Sequence, residues 1–463
     1  MTDFREIKVE KKTLNLYNKD MKNFSLVLLV VLVFLFGGCA GKIVQKETKN
    51  AVAPVESTST ANQLNYQAAQ MDTSVTNIES SSTLALGEKI GEINVTDEEF
   101  VSTSTGELKG EFILYAEKEG KTDFIKKITL NSKKIKTIYQ TKELVDSDTE
   151  SGNIWQAKPA GVALSPDKSR VAITDERGLY ILNLSSGKID WLITAKAAPK
   201  AKSSKDYISP VVWSRSELKN SFLLEEPKWS ADGKYLSFIA GYYEGSLAFF
   251  YNIDSGSITE TGLWSVFPSW SPKQNIYSAG GDGGYSKWGL FVTSPASKTE
   301  PPDIANVFDF NKEYVYSQTE FFSDGKRIAY IAESSTDNDG NHVIFGSCDL
   351  RGGNQVTLDD FNATIDDFIA GSNSNNVISL ITYQYQQYLV EYDISSGQVE
   401  KKYISFSNFN TGVALAWSGN LLWLTSRDSY GSRIIAIDLT GARLVYASPV
   451  LANNSLFLGL INN

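Results

Sequence analysis

The sequence predicts an all-β fold of repeated small sheets, and three observations carry that reading: aromatic content, two turn signatures that alternate along the chain, and the spacing between them. Of 463 residues, 42% are hydrophobic and 12% aromatic, with 22 Tyr, 23 Phe and 9 Trp. Flat rings pack well on pleated surfaces, so this composition leans toward strands. The first signature is an apolar residue, then Ser, then a turn, then an apolar strand. It stands at Leu164-Ser165-Pro166-Asp167, Trp229-Ser230-Ala231-Asp232-Gly233-Lys234, Trp270-Ser271-Pro272-Lys273, Phe322-Ser323-Asp324-Gly325-Lys326 and Trp417-Ser418-Gly419-Asn420. The Asp-Gly pairs suit tight hairpins, because Gly accepts positive φ and Asp bonds the backbone ahead of it. The second signature is a strand ending in Asn or Asp before a Gly-containing turn, at Asn183, Asp254, Asp349, Asp393 and Asp438, with weaker copies at Asn131 and near Ser294. These turns fall 52, 71, 40, 55, 44 and 45 residues apart. Periods in the forties match a four-stranded propeller blade.

Each unit reads strand, turn, strand, strand, turn, strand. Such a sheet has apolar faces too large to leave wet, and radial stacking buries both while leaving only short edges. A tandem of two-sheet sandwiches would space its strands evenly, without a doubled signature. The first unit, FILYAE then DFIKKITL then KKIKTIYQ, lacks an opening strand, whereas the last is followed by a surplus one, SLFLGLI at residues 455–461. The economical reading is a single propeller over residues 110–463 whose carboxy-terminal strand completes the first blade. That gives seven blades, with six or eight as alternatives.

With Pro227, Trp229, Ser230, Asp232, Gly233, Lys234 and Phe238 in one unit, Pro268-Ser269-Trp270-Ser271-Pro272 in the next and Phe322-Ser323-Asp324-Gly325-Lys326 in a third, the repeat resembles the WD-repeat-related propeller of the TolB family. The resemblance spans residues 110–460 and implies a propeller in the cell envelope. That family carries an amino-terminal α/β domain and works with the Tol and Pal proteins. Here a different amino terminus stands in that domain's place.

Residues 24–36, FSLVLLVVLVFLF, form an uncharged apolar run, preceded by Lys22 and followed by Gly37-Gly38-Cys39. The run is shorter than the roughly 20 residues of a membrane-spanning helix and has the basic, apolar, small-residue order of a secretory signal. Residues 1–38 are therefore read as a signal peptide. Met21 is an alternative start, which would leave residues 1–20 as an upstream extension. The ending Phe36-Gly37-Gly38-Cys39 resembles the lipobox of bacterial lipoproteins, in which the cysteine is acylated and becomes the mature amino terminus. This points to Cys39 as a lipidation site and to an extracytoplasmic, lipid-anchored chain. An uncleaved anchor helix is the rival reading, and it too puts the body outside the cytoplasm. Residues 39–109, dense in Ser, Thr, Asn, Gln and Ala, read as a polar disordered tether with a reach of about 40 Å.

Chemistry is constrained by what the chain lacks. A single histidine, His342, removes most His-based catalysis and every multi-His metal site. Two cysteines, Cys39 and Cys348, exclude a disulfide framework, and Cys348 reads as a buried free thiol. No G-x-S-x-G elbow occurs, and no segment is free to hold a hydrolase domain. Asp337-Asn338-Asp339-Gly340-Asn341 resembles half of a calcium loop but lacks the downstream acid, so a polar hairpin tip outweighs a metal site at Asp337 and Asp339. No cofactor or metal is expected. The formal net charge of −10 argues against nucleic acid.

The longest break in the repeat, residues 194–225, carries a basic stretch with Lys200, Lys202, Lys205 and Tyr207 on an otherwise acidic body. Such a loop could dock an acidic partner, although a solvated insertion whose Trp213 packs on a neighbouring blade is the plainer reading. Two classes of function follow. One is a monomeric, membrane-anchored envelope module that binds or scaffolds a protein or glycan and catalyses nothing. The other is an extracytoplasmic enzyme acting on a glycan through carboxylates at the propeller channel. Two inward-facing carboxylates with no basic partner between them would favour the second.

Overall fold

The computed structural model describes residues 85–94, 111–119, 122–141, 161–197, 211–242, 245–265, 268–282, 288–295, 305–306, 314–334, 343–361, 363–407, 413–418, 420–427, 431–452 and 455–462. They form a seven-bladed β-propeller whose blades are antiparallel four-stranded sheets numbered here in chain order. The innermost strands are Leu456–Ile461 in blade 1, then Gly161–Leu164, Leu223–Trp229, Ser269–Trp270, Tyr314–Phe321, Thr364–Ala370 and Val413–Ser418 in blades 2 to 7. The ring closes as the sequence predicts. Leu456–Ile461 pairs antiparallel with Phe112–Glu119, so the carboxy-terminal strand is the inner strand of the first blade.

Hydrophobic burial follows the ring. Seven apolar clusters among the described residues each lie between one pair of neighbouring blades. Blades 7 and 1 share the closing cluster, where the buried Trp423 ring stacks on Phe457 at 4.8 Å between centroids and 4° between planes. Blades 3 and 4 are also joined by backbone, through Trp264 opposite Asp282 and Ser265 opposite Gly281.

The turn signatures are local hydrogen-bond devices. In blade 3, Ser230 Oγ accepts from Tyr235 N at 3.0 Å and donates to Asp232 at 2.8 Å, while Gly233 takes φ 69°. The motif tryptophans lock blade to blade. Trp229 Nε1 donates to Ala163 O at 3.0 Å, Trp270 Nε1 to Ser237 Oγ at 2.9 Å and Trp417 Nε1 to Ala370 O at 2.6 Å, each across to the preceding blade. In the second signature the last Asn or Asp of the strand accepts from the backbone ahead of it. Asn183 bonds Ser185 N and Ser186 N, Asp393 bonds Ser395 N, and Asp438 bonds Thr440 N.

Three positions differ from the sequence reading. In blade 3 the capping side chain is Asn252, which accepts from Asp254 N and Ser255 N, so Asp254 lies in the turn. In blade 1 Thr129 holds that place through its backbone, since Lys133 N bonds Thr129 O and Lys133 adopts φ 51°. In blade 5 the Asp-Gly turn sets the register, and Phe322 rather than Ser323 matches Ser230: Gly325 N bonds Phe322 O just as Gly233 N bonds Ser230 O.

A larger difference concerns residues 88–94, which the composition assigns to the tether. Glu88–Asn94 is a strand, added parallel to Glu400–Ser407 at the outer edge of blade 6. Ile90 and Ile93 pack into the cluster between blades 6 and 7, and Leu86 packs into that between blades 5 and 6. Gly91 admits this approach, because a Cβ there would stand 2.3 Å from Ala442 Cβ.

The strand directions give the ring two unlike faces. Every turn between first and second strands, and between third and outer strands, falls on one side, called here the turn face. Asn275 Nδ2 bonding Asp232 at 2.8 Å shows turns of adjacent blades meeting there. Connections between blades leave from the opposite side, called here the loop face.

Removing residues 453–463 should expose the Phe112–Glu119 edge and strip Phe457 and Leu460 from the closing cluster. The expected product aggregates or is readily proteolysed; a melting temperature equal to that of the full chain would contradict the closure. Trp270→Phe should lower stability by about 1 kcal/mol in denaturant unfolding, as the Ser237 hydrogen bond is lost.

Candidate functional site

Polar side chains of the innermost strands converge on the propeller axis. Aligned on their turns, Lys228 of blade 3, Ser269 of blade 4 and Glu320 of blade 5 hold one position, two residues before the Ser or Phe that starts each turn. Blades 2 and 7 carry Ala163 and Ala416 there. Just upstream the inner strands of blades 3, 5, 6 and 7 each shift register, between Glu225 and Lys228, Tyr316 and Thr319, Ile365 and Asp367, and Val413 and Ala416. A bulge re-aims the side chains beside it, and here the bulges bring Gln318 and Asp367 to the axis.

The resulting hydrogen bonds run around the axis from blade to blade. Lys228 Nζ donates to Pro268 O at 2.7 Å, joining blades 3 and 4. Ser269 Oγ donates to Glu320 Oε2 at 2.8 Å, joining blades 4 and 5. Gln318 Nε2 donates to Asp367 Oδ1 at 3.1 Å, joining blades 5 and 6. Leu415 N donates to Asp367 Oδ2 at 2.9 Å, joining blades 6 and 7. Asp367 also accepts from Phe368 N at 2.9 Å, so both of its oxygens are engaged.

Electrostatics at the axis are dominated by loss of water. Burial pushes Glu320 up to about 7, against the opposing charge of Lys228 and the Ser269 hydrogen bond, with Asp367 adding repulsion. Burial likewise raises Asp367, whose backbone and Gln318 donors and the Lys228 charge pull the other way. Lys228 of blade 3 thus acts on acids of both blades 5 and 6, a reach that only an axial position allows. Next to this chain, Asp366 accepts from Thr382 Oγ1 at 2.6 Å and Gln387 Nε2 at 3.0 Å, and burial raises it as well. Two axial carboxylates are present, and the Lys228 charge acts on both while its Nζ bonds Pro268 O.

Of the residues singled out in the sequence, Cys39, Lys200, Lys202, Lys205, Tyr207, Asp337, Asp339 and His342 lie outside the described residues. The described end of the basic insertion is structural. Val212–Trp213 adds a strand to blade 2, and Trp213 is buried with Nε1 donating to Ser221 O at 3.3 Å. Arg215 docks on blade 3 through Gly256 O at 2.9 Å. Cys348 is a buried free thiol, pushed up to about 12 by burial. Lys228, Ser269, Gln318, Glu320 and Asp367 escaped the sequence reading. For Lys228, Ser269 and Glu320 the signal was a polar residue at an inner-strand position that blades 2 and 7 fill with Ala; Gln318 and Asp367 lie outside that position.

No family model matches this chain, and no curated protein matches it. Solved structures do. An oligogalacturonate lyase in complex with manganese is 11% identical, with 71% of this chain and 83% of that one covered and a TM-score of 0.46. An uncharacterized protein from Listeria monocytogenes EGD-e is 10% identical, with coverage of 81% and 98% and a TM-score of 0.43. TolB from Acinetobacter baumannii is 10% identical, with coverage of 81% and 98% and a TM-score of 0.37.

The axial pKa shift has a stability consequence. In the folded chain Glu320 keeps its proton up to about pH 7, whereas an unfolded glutamate releases it near 4.3. The folded state then binds the extra proton between those values, so stability falls as pH rises through that window and levels off above it. Relative to Glu320→Gln, the wild type should lose on the order of 1–2 kcal/mol between pH 4 and pH 8. Denaturant melts across that range check this, and a constant difference between the two proteins would refute it.

Proposed function

We propose that this chain is a lipid-anchored, extracytoplasmic binding module of the cell envelope, whose propeller presents its loop face to a protein or glycan and catalyses nothing. The observation that carries the reading is the hairpin between the second and third strands of blade 6. Tyr385 stands fully exposed at its tip, and both central residues are left-handed, Gln384 at φ 49° and Tyr385 at φ 65°. Asn-Gly would relax such a turn, and each non-glycine residue costs roughly 1 kcal/mol there. Strain of this kind persists where a side chain is being displayed, and exposed tyrosine is a common anchor at interfaces. The connection holding Lys200, Lys202, Lys205 and Tyr207 leaves from this same face.

The axial geometry supports binding over catalysis. Asp367 spends its oxygens on three donors, two of them from neighbouring blades, and Glu320 accepts from Ser269 of blade 4, so each carboxylate serves as an inter-blade link. Cys39 as the acylated residue rests on the sequence pattern alone. The TolB-like repeat supports the envelope location.

A photo-crosslinking residue at position 385 in membrane-attached chains should give one discrete protein or glycan adduct, and the same residue at Gln274 on the turn face should give no protein or glycan adduct. Neutralising Lys200, Lys202 and Lys205 together should weaken that adduct at low salt more than at high salt. Cys39→Ser should release the chain from membranes and abolish acyl labelling. Adducts of equal yield from both faces would refute the binding face. Turnover of a glycan library that vanishes in Asp367→Asn would refute the non-enzymatic reading.

A further inference from the structure

The geometry points to a fixed orientation at the membrane, in which the turn face lies against anionic lipid headgroups and the loop face points away. This rests on the lipid anchor at Cys39. Its first support is the direction of the added strand. Glu88–Asn94 runs parallel to Glu400–Ser407, which itself starts at a turn of the turn face, so Glu88 lies at that face and Asn94 toward the loop face. Ala85 is held there, its carbonyl accepting from Lys401 Nζ at 3.2 Å. The first described residue, Ala85, therefore enters the propeller at the turn face.

The second support is charge. The whole chain carries −10, yet the turns of this face project exposed bases: Lys134 in blade 1, Lys168 in blade 2, Lys234 in blade 3, Lys273 in blade 4, Lys326 in blade 5 and Arg443 in blade 7. The acids of the same turns cap the backbone, Asp167 at Ser169 N, Asp232 at Lys234 N and Asp324 at Lys326 N, and Asp232, Asp324 and Asp438 lie within ion-pair distance of Lys234, Lys326 and Arg443. Lys134, Lys168 and Lys273 have no ion pair among the described residues. Beside Lys134, Ile135 is 45% exposed and Lys136 is exposed, which sets an apolar side chain between two bases at the rim. Bases around an inserted apolar residue suit an anionic bilayer surface, where each lysine gains from the surface potential within a Debye length.

The test uses the full acylated chain on vesicles of phosphatidylcholine with about 30 mol% phosphatidylglycerol, carrying an acceptor lipid. A donor dye is placed at Gln274→Cys on the turn face or at Tyr385→Cys on the loop face; Cys348 is buried and stays unlabelled. Strands of six to eight residues separate the faces by about 25 Å, so transfer from position 274 should exceed that from 385 by at least about twofold. Lys134→Glu, Lys168→Glu and Lys273→Glu together, or vesicles of phosphatidylcholine alone, should bring the two values together with the melting temperature unchanged. Equal transfer, or more from 385, with Cys39 acylated and the chain on the anionic vesicles, would overturn the orientation alone. A Cys39 that carries no acyl group would overturn the anchor and this inference with it.

Discussion

Burial of apolar faces between neighbouring blades is the constraint on which everything else here depends. No single blade can cover both of its faces, and each of the seven clusters is made of residues from two sheets. An open chain of blades would leave two faces wet. The carboxy-terminal strand prevents this by seating Phe457 on Trp423 and Leu460 beside Ile113 in the first blade. Strands hundreds of residues apart, Phe112–Glu119 and Leu456–Ile461, thereby share one sheet, and each blade becomes stable only as part of the closed ring.

Closing a ring of twisted sheets leaves a narrow axis where backbone and polar side chains lose water. Here that axis holds linked donors and acceptors from blade 3 to blade 7, and Lys228 offsets the charge of Glu320 and Asp367. Burying an acid is costly unless it is paired and hydrogen-bonded. Asp367 accepts from three donors, whereas Glu320 accepts from Ser269 Oγ and burial pushes it up to about 7. A rigid axis lets the loop face vary without disturbing the scaffold, which is how the strained hairpin at Tyr385 can be maintained.

Much of the fold was legible in the sequence because its turns are chemically specific. Ser230 with Asp232 and Gly233, or Asn183 with Gly187, can do little but form their hairpins, so the repeat and the missing opening strand could be read directly. Reading failed where register decided the matter. Phe322 sits one place from where its Ser neighbour suggested, since backbone bonds rather than residue type set the turn. The added strand at residues 88–94 was hidden by a polar composition, its two isoleucines being three apart and brought to one side by an irregular register between Lys89 and Gly91. The axial residues were hard to recognise for another reason: they come from four different blades, and only the ring makes them neighbours.

The central claim is that the axial carboxylates are links between blades. A double-mutant cycle on Gln318 and Asp367, using Gln318→Ala and Asp367→Asn with unfolding free energies for all four proteins, measures this directly. The account predicts a coupling of about 1–2 kcal/mol, as expected for a hydrogen bond to a charged acceptor. Effects that add to within about 0.3 kcal/mol would contradict it.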